Sequence, residues 1–89
     1  METHTIRLIE GDFTQPNAKK LLLELLSQKI SYHQSQLLSN AERFGSDTEH
    51  SERKIRALQD ERQKFLDWLA HAEAGRGITI HGDILLELT

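Results

Sequence analysis

Two helical stripes of apolar residues, arranged as mirror images of each other, are the feature of this sequence that most constrains its fold. Gly45, Ser46 and Asp47 lie between the two stripes. Residues on either side of them form pairs, and the two residue numbers add to the same value in each of the three apolar pairs. The apolar pairs are Leu37 with Leu58, Ile30 with Phe65, and Leu26 with Leu69. The stripe positions recur at steps of three and four, which keeps them on one face of a helix. The pattern predicts two antiparallel helices packed side by side.

Each predicted helix has residues at its ends that favour starting or stopping there. Thr14 and Pro16 suit the first turn, because a hydroxyl accepts a backbone N–H bond and proline there loses no helical hydrogen bond. Gly45 suits the end of the first helix, and a Gly-Arg-Gly sequence follows the second stripe. We therefore predict helices over residues 15–44 and 48–74.

Two further segments have the composition of strands. Residues 4–10 combine β-branched and apolar side chains and end before Gly11. Residues 78–88 alternate, and their apolar side chains on one face are Ile78, Ile80, Ile84, Leu86 and Leu88. Gly82 falls on the same face, which predicts a bulge or the close approach of another backbone.

The four segments together predict one α+β domain over residues 1–89, in the order β-α-α-β. Because a helical hairpin returns the chain to its starting point, the strands before and after it should meet and pair antiparallel. A chain of 89 residues is long enough for one domain and too short for two.

The composition excludes several classes of function. The formal net charge is −3, and the 11 basic residues are interleaved with 14 acidic ones, which argues against a nucleic acid partner. There is no cysteine, so thiol catalysis, thiolate metal sites and disulfides are excluded. No apolar run approaches membrane-spanning length and no secretory signal pattern is present. We expect a cytoplasmic protein with no membrane association.

The predicted sheet is too small to stand alone, which leads us to expect self-association. A two-stranded sheet is marginal in water, and its edges would be open to pairing. A twofold homodimer would solve both problems, either by merging two sheets or by pairing two hairpins into a four-helix bundle. The alternative is a monomer whose sheet folds over the N-terminal half of the first helix.

The mirror pattern also pairs two polar residues, His33 and Arg62, in the middle of the apolar seam. An arginine is costly to bury without an acidic partner. One interpretation is a polar layer that sets the register of the helices. The other is a ligand site in which His33 and Arg62, with Tyr32 and Gln36 nearby, hold an acidic group.

A second candidate site is the end of the first helix, where Glu42, Arg43 and Phe44 precede a glycine. Exposed aromatic and arginine side chains are effective anchors for a protein partner. In the alternative interpretation, Phe44 closes the open end of the hairpin and Arg43 interacts with the helix dipole.

The remaining residues show no catalytic set, cofactor motif or metal-binding spacing, so we expect no enzyme activity, no cofactor and no metal. We expect His71 to form a surface pair with Asp67, four residues before it. The leading functional prediction is a small homodimeric protein-interaction or scaffold module that presents its helical hairpin to a protein partner. The alternative is a regulatory or sensor module that binds a small anionic ligand near His33 and Arg62.

Overall fold

A computed structural model shows the predicted α+β fold in the order β-α-α-β. It describes the backbone of residues 2–44 and 49–89, and the side chains of residues 2–38 and 49–89. The elements are β1 (Thr3–Phe13), α1 (Gln15–Phe44), α2 (Glu49–Ala70) and β2 (Ile78–Glu87). The two strands form one antiparallel sheet, and the two helices form the predicted hairpin. The predicted turn at 45–47 lies outside the described residues.

Helix α1 has the predicted bounds, and its start shows the expected cap. The side-chain oxygen of Thr14 accepts a hydrogen bond from the backbone N–H of Asn17, at 3.3 Å. The backbone oxygen of Thr14 accepts from the N–H of Ala18, at 2.9 Å. The first bond satisfies an N–H group of the first turn that has no partner inside the helix, and the second is the first i to i−4 bond of the helix itself.

Helix α2 is shorter than predicted, because it ends at Ala70 and not at residue 74. The N–H groups of His71 and Ala72 bond to carbonyls three residues earlier, at 3.2 and 3.1 Å, which tightens the chain into a turn. Gly75 then has a φ of 85°, a left-handed conformation that glycine adopts without strain. At about 1.5 Å per residue, α2 is roughly 33 Å long and α1 roughly 45 Å, so the helices are unequal.

Strands β1 and β2 form a two-stranded ribbon with one irregularity. Phe13 pairs with Ile78 at the helix end of the ribbon, and Thr3 pairs with Glu87 at its outer end. The pairing shifts between Arg7 and Ile9, so the extra residue is Leu8 in β1. The bulge expected at Gly82 is therefore on the opposite strand.

Strand β1 also continues past the glycine that was expected to end it. Gly11 has a φ of 148° and still pairs with Ile80. This backbone conformation is open to glycine and strained for other residues. The glycine thus allows the strand to continue as far as Phe13.

The register divides the ribbon into an apolar face and a polar face. The apolar face carries His4, Ile6, Ile9, Gly11 and Phe13 from β1, with Ile78, Ile80, Gly82, Ile84 and Leu86 from β2. The polar face carries Thr3, Thr5, Arg7, Glu10 and Asp12 from β1, with Thr79, His81, Asp83, Leu85 and Glu87 from β2. Because side chains alternate along a strand, the extra residue at the bulge is what brings Ile6 and Ile9 to the same face.

The chain has almost no core of its own. Ala18 is the one buried apolar residue among the described side chains, at 0% exposure. The Cα atoms span 50 × 37 × 14 Å with a radius of gyration of 16.4 Å, against about 12 Å for a compact chain of this length. The accessible surface is 7222 Å², roughly 1,800 Å² above the value for a compact globule of this mass.

Candidate functional site

Three of the four residues of the predicted ligand site lie together on α1. The rings of Tyr32 and His33 meet edge to face, with their centroids 5.3 Å apart. The side-chain amide of Gln36 donates a hydrogen bond to the Tyr32 hydroxyl, at 3.0 Å. The ammonium group of Lys29 lies 5.7 Å from the centre of the Tyr32 ring. Tyr32 is exposed, whereas His33 is 9% exposed.

The environment of His33 keeps its ring neutral. Burial lowers the pKa of His33 below its ordinary value of 6.5, and electrostatic interaction with Lys29, Lys54 and His50 lowers it further. The Nε2 atom is buried and has no hydrogen-bond partner among the described residues. A neutral imidazole does not supply the positive charge that the predicted anion site needs.

Arg62, the fourth predicted residue, lies on the other helix, α2. Its side chain is exposed, and two of the groups whose charge acts on His33, His50 and Lys54, belong to the first two turns of α2. Ser51, in the same turns, is one of the buried polar residues. Arg62 is eight residues beyond Lys54, which is about 12 Å further along the helix. The His33–Arg62 layer suggested by the mirror pattern stays a prediction.

The predicted docking site at Glu42, Arg43 and Phe44 falls on the last turn of α1. The side chains of these three residues lie outside the described part of the chain. Their role in partner binding stays a prediction.

A cleft that the sequence analysis missed lies where the strands join the helices. Its volume is about 530 Å³, and its walls include Gln15, Trp68, His71 and Arg76. The side-chain amide of Gln15 donates to the backbone oxygens of Glu73 and Arg76, at 2.8 and 3.0 Å. These bonds tie the start of α1 to the segment between α2 and β2. No local sequence pattern predicts these hydrogen bonds, because the donor and the acceptors are about 60 residues apart in the chain.

Of the walls of this cleft, Trp68 comes from the last turn of α2 and His71 from the residues just after it. The Trp68 ring is exposed and stacks against Phe65, with centroids 6.5 Å apart. The Nδ1 atom of His71 lies 2.8 Å from the backbone oxygen of Asp67. The Asp67 carboxylate instead accepts a hydrogen bond from Gln63, at 3.0 Å. The predicted His71–Asp67 pair is thus a contact with a carbonyl and not with the carboxylate.

Among the described side chains, no three histidine or acidic residues are grouped so that they could hold a metal ion. No helix in residues 2–44 and 49–89 is long and apolar enough to cross a membrane. Comparison with known proteins finds no family model, curated protein or solved structure that matches this chain.

Proposed function

We propose that this chain is a small cytoplasmic homodimeric module that mediates protein–protein interaction, with its helical hairpin as the part offered to a partner. The observation that carries the proposal is the excess of exposed surface. A stable domain packs at least two layers of secondary structure around a core. In the described part of this chain, Ala18 alone is a fully buried apolar residue.

The excess accessible surface of the single chain is about as large as the area that one subunit buries in a dimer. Obligate dimers bury 2,000–5,000 Å² in total, or about 1,000–2,500 Å² on each subunit. The excess of roughly 1,800 Å² on this chain lies within that range. Several large apolar side chains are exposed on both the ribbon and the helices: Ile6, Leu8, Leu38, Trp68, Ile84, Leu85, Leu86 and Leu88. Their burial in a dimer would provide the core that one copy lacks.

Sedimentation equilibrium between about 1 and 100 µM tests the homodimer. We expect a mass of twice 10.3 kDa over most of this range. Circular dichroism and urea unfolding should show that unfolding depends on chain concentration, because dissociation and unfolding are then coupled. A cooperatively folded monomer of 10.3 kDa at the highest concentration would refute the proposal.

The partner-binding role needs a separate test on the hairpin. Tyr32 is exposed on α1, so a photo-crosslinking residue placed there would lie within reach of a docked protein. The matched control places the same group at Thr79, on the polar face of the ribbon. We expect a defined crosslinked product with another protein in cells from position 32 and none from position 79. Equal labelling from both positions would contradict presentation of the hairpin.

The sensor interpretation is not favoured by the arrangement of the described residues. An anion held by both His33 and Arg62 needs positive charge from both, and the lowered pKa of His33 disfavours its charged form. That interpretation stays a prediction from the sequence.

A further inference from the structure

We propose that the apolar face of the ribbon is the centre of the homodimer interface, where it packs face to face on the same ribbon of a second copy. This inference rests on the proposed homodimer and adds the surface that forms it. The outer half of this face carries Ile6, Ile84 and Leu86, all of which are exposed in the single chain. The inner half, from Ile9 to Phe13 in β1, is half-buried where the strands join the helices.

The polar face of the ribbon has its partners within the chain. Arg7 pairs with Glu10 at 3.1 Å, and the Thr79 hydroxyl donates to the Asp12 carboxylate at 2.7 Å. His81 lies 3.9 Å from the other oxygen of the Glu10 carboxylate. These polar groups already have ion-pair or hydrogen-bond partners, so a second sheet packed on this face would give them no new stabilising interaction. This face is therefore suited to contact with solvent. The two faces are therefore not equivalent.

The bulge at Leu8 indicates that the continuity of the apolar face matters. Without the extra residue, the side chains of Ile6 and Ile9 would point to opposite faces. With it, apolar residues or glycines occupy every position of this face except His4 at the outer end. The helices of the same chain do not reach the outer half, as its exposure shows.

The charges allow a second copy to pack on this face, and the excess exposed surface of the single chain favours that occupant. The chain carries a net charge of −3, so two copies repel each other through most of their surfaces. The apolar face has no lysine, arginine, aspartate or glutamate, and a twofold axis through it brings no like charges together. This face is thus a part of the ribbon where two identical chains can meet without electrostatic cost.

Face-to-face packing of two ribbons is favoured over edge-to-edge pairing, because only face-to-face packing adds a second layer over the apolar face. Joining two β2 edges would widen the sheet and leave its apolar face in water, whereas stacking two sheets about 10 Å apart covers it. The outer half of the ribbon covers about 170 Å² on each copy, given a length of about 17 Å and a width of about 10 Å. Because this is less than the excess surface, the interface continues onto the helical hairpins.

A pair of neighbouring substitutions separates the two faces. Ile84→Lys places a charge on the apolar face, and Leu85→Lys places the same charge one residue later on the polar face. Both sites are exposed in the single chain, at 41% and 59%, so neither lysine is buried within one copy. We expect Ile84→Lys to raise the dimer dissociation constant at least about 100-fold, because an unpaired charge is then buried twice. Leu85→Lys should change it less than about threefold.

A second measurement does not depend on disrupting the dimer. The chain contains no cysteine, so one cysteine at position 84 or 85 takes a single nitroxide label. We expect the label of Ile84→Cys to be immobilised in its electron paramagnetic resonance spectrum and the label of Leu85→Cys to stay mobile. Equal mobility at both positions would overturn the face assignment.

The outcomes distinguish this inference from the proposed function. If wild-type chain is a dimer and Ile84→Lys dissociates it while Leu85→Lys does not, the apolar face is the contact. If both variants remain dimers, or both dissociate equally, the face assignment is overturned while the homodimer stands. If the wild-type chain is a monomer, the homodimer and the assignment fail together.

Discussion

Replacing Gly11 with alanine should destabilise the protein through the backbone alone. The φ of Gly11 is 148°, a value that costs an L-residue about 1–3 kcal/mol. A Cβ atom there would meet the Phe13 ring at 4.0 Å, which is ordinary van der Waals contact. The expected loss is therefore conformational strain and not a steric clash.

Gly82→Ala is the matched control, because it lies on the same face of the ribbon. Gly82 does not have a positive φ, and a Cβ atom there would lie 3.9 Å from the Cβ of Ile9. Any Gly-to-Ala change also stabilises by about 0.4–1 kcal/mol, because alanine restricts the unfolded chain. This gain is common to both variants, so their difference isolates the cost of the φ angle. We expect that difference to be about 2 kcal/mol.

Urea and thermal unfolding of the two variants at one chain concentration measure this difference. For a domain of this size, about 2 kcal/mol corresponds to a fall in Tm of roughly 8–16 °C. The concentration must be equal because the Tm of a dimer depends on it. A difference below about 0.5 kcal/mol would show that the positive φ of Gly11 does not constrain the ribbon.

Two further predictions concern His33 and Gln15. The free energy of unfolding should fall as pH drops from about 7.5 to 5.5, because unfolded His33 has the higher pKa and takes up its proton first. His33→Gln should reduce this dependence of the free energy of unfolding on pH. An unchanged pH dependence would contradict its assignment to His33. Gln15→Ala should cost about 1–2 kcal/mol in urea unfolding, because two carbonyls lose their donor. Gln15→Glu should cost at least as much, and wild-type stability in either variant would refute the role of these bonds.

The helices were predicted well because their signals are local. The bounds of α1 agree at both ends, since Thr14 caps the first turn through contacts within four residues. The end of α2 was placed four residues late, because Ala72 continues the apolar stripe although the backbone has already turned. A stripe indicates which side chains face a partner and not where the hydrogen bonds of a helix stop.

The candidate site depends on the register between the helices, which residue spacing along one helix does not fix. Tyr32 and Gln36 meet through spacing along one helix, which sequence alone indicates. The pairing of His33 with Arg62 required the two helices to align as the mirror pattern suggested. The groups of α2 whose charges act on His33 are Lys54 and His50, in the first two turns of that helix. Steps of three and four repeat along a helix, so several alignments of two stripes satisfy the same pattern.

The sequence by itself determined the order of the elements, the bounds of α1 and the alternation of β2, because each follows from the spacing of residues close in the chain. Tertiary structure decided the bulge at Leu8, the length of β1 and the bonds of Gln15. These depend on residues far apart in sequence, whose alignment is set by how strands and helices pack. The exposed apolar face of the ribbon arises from both, since alternation creates it and the bulge keeps it continuous.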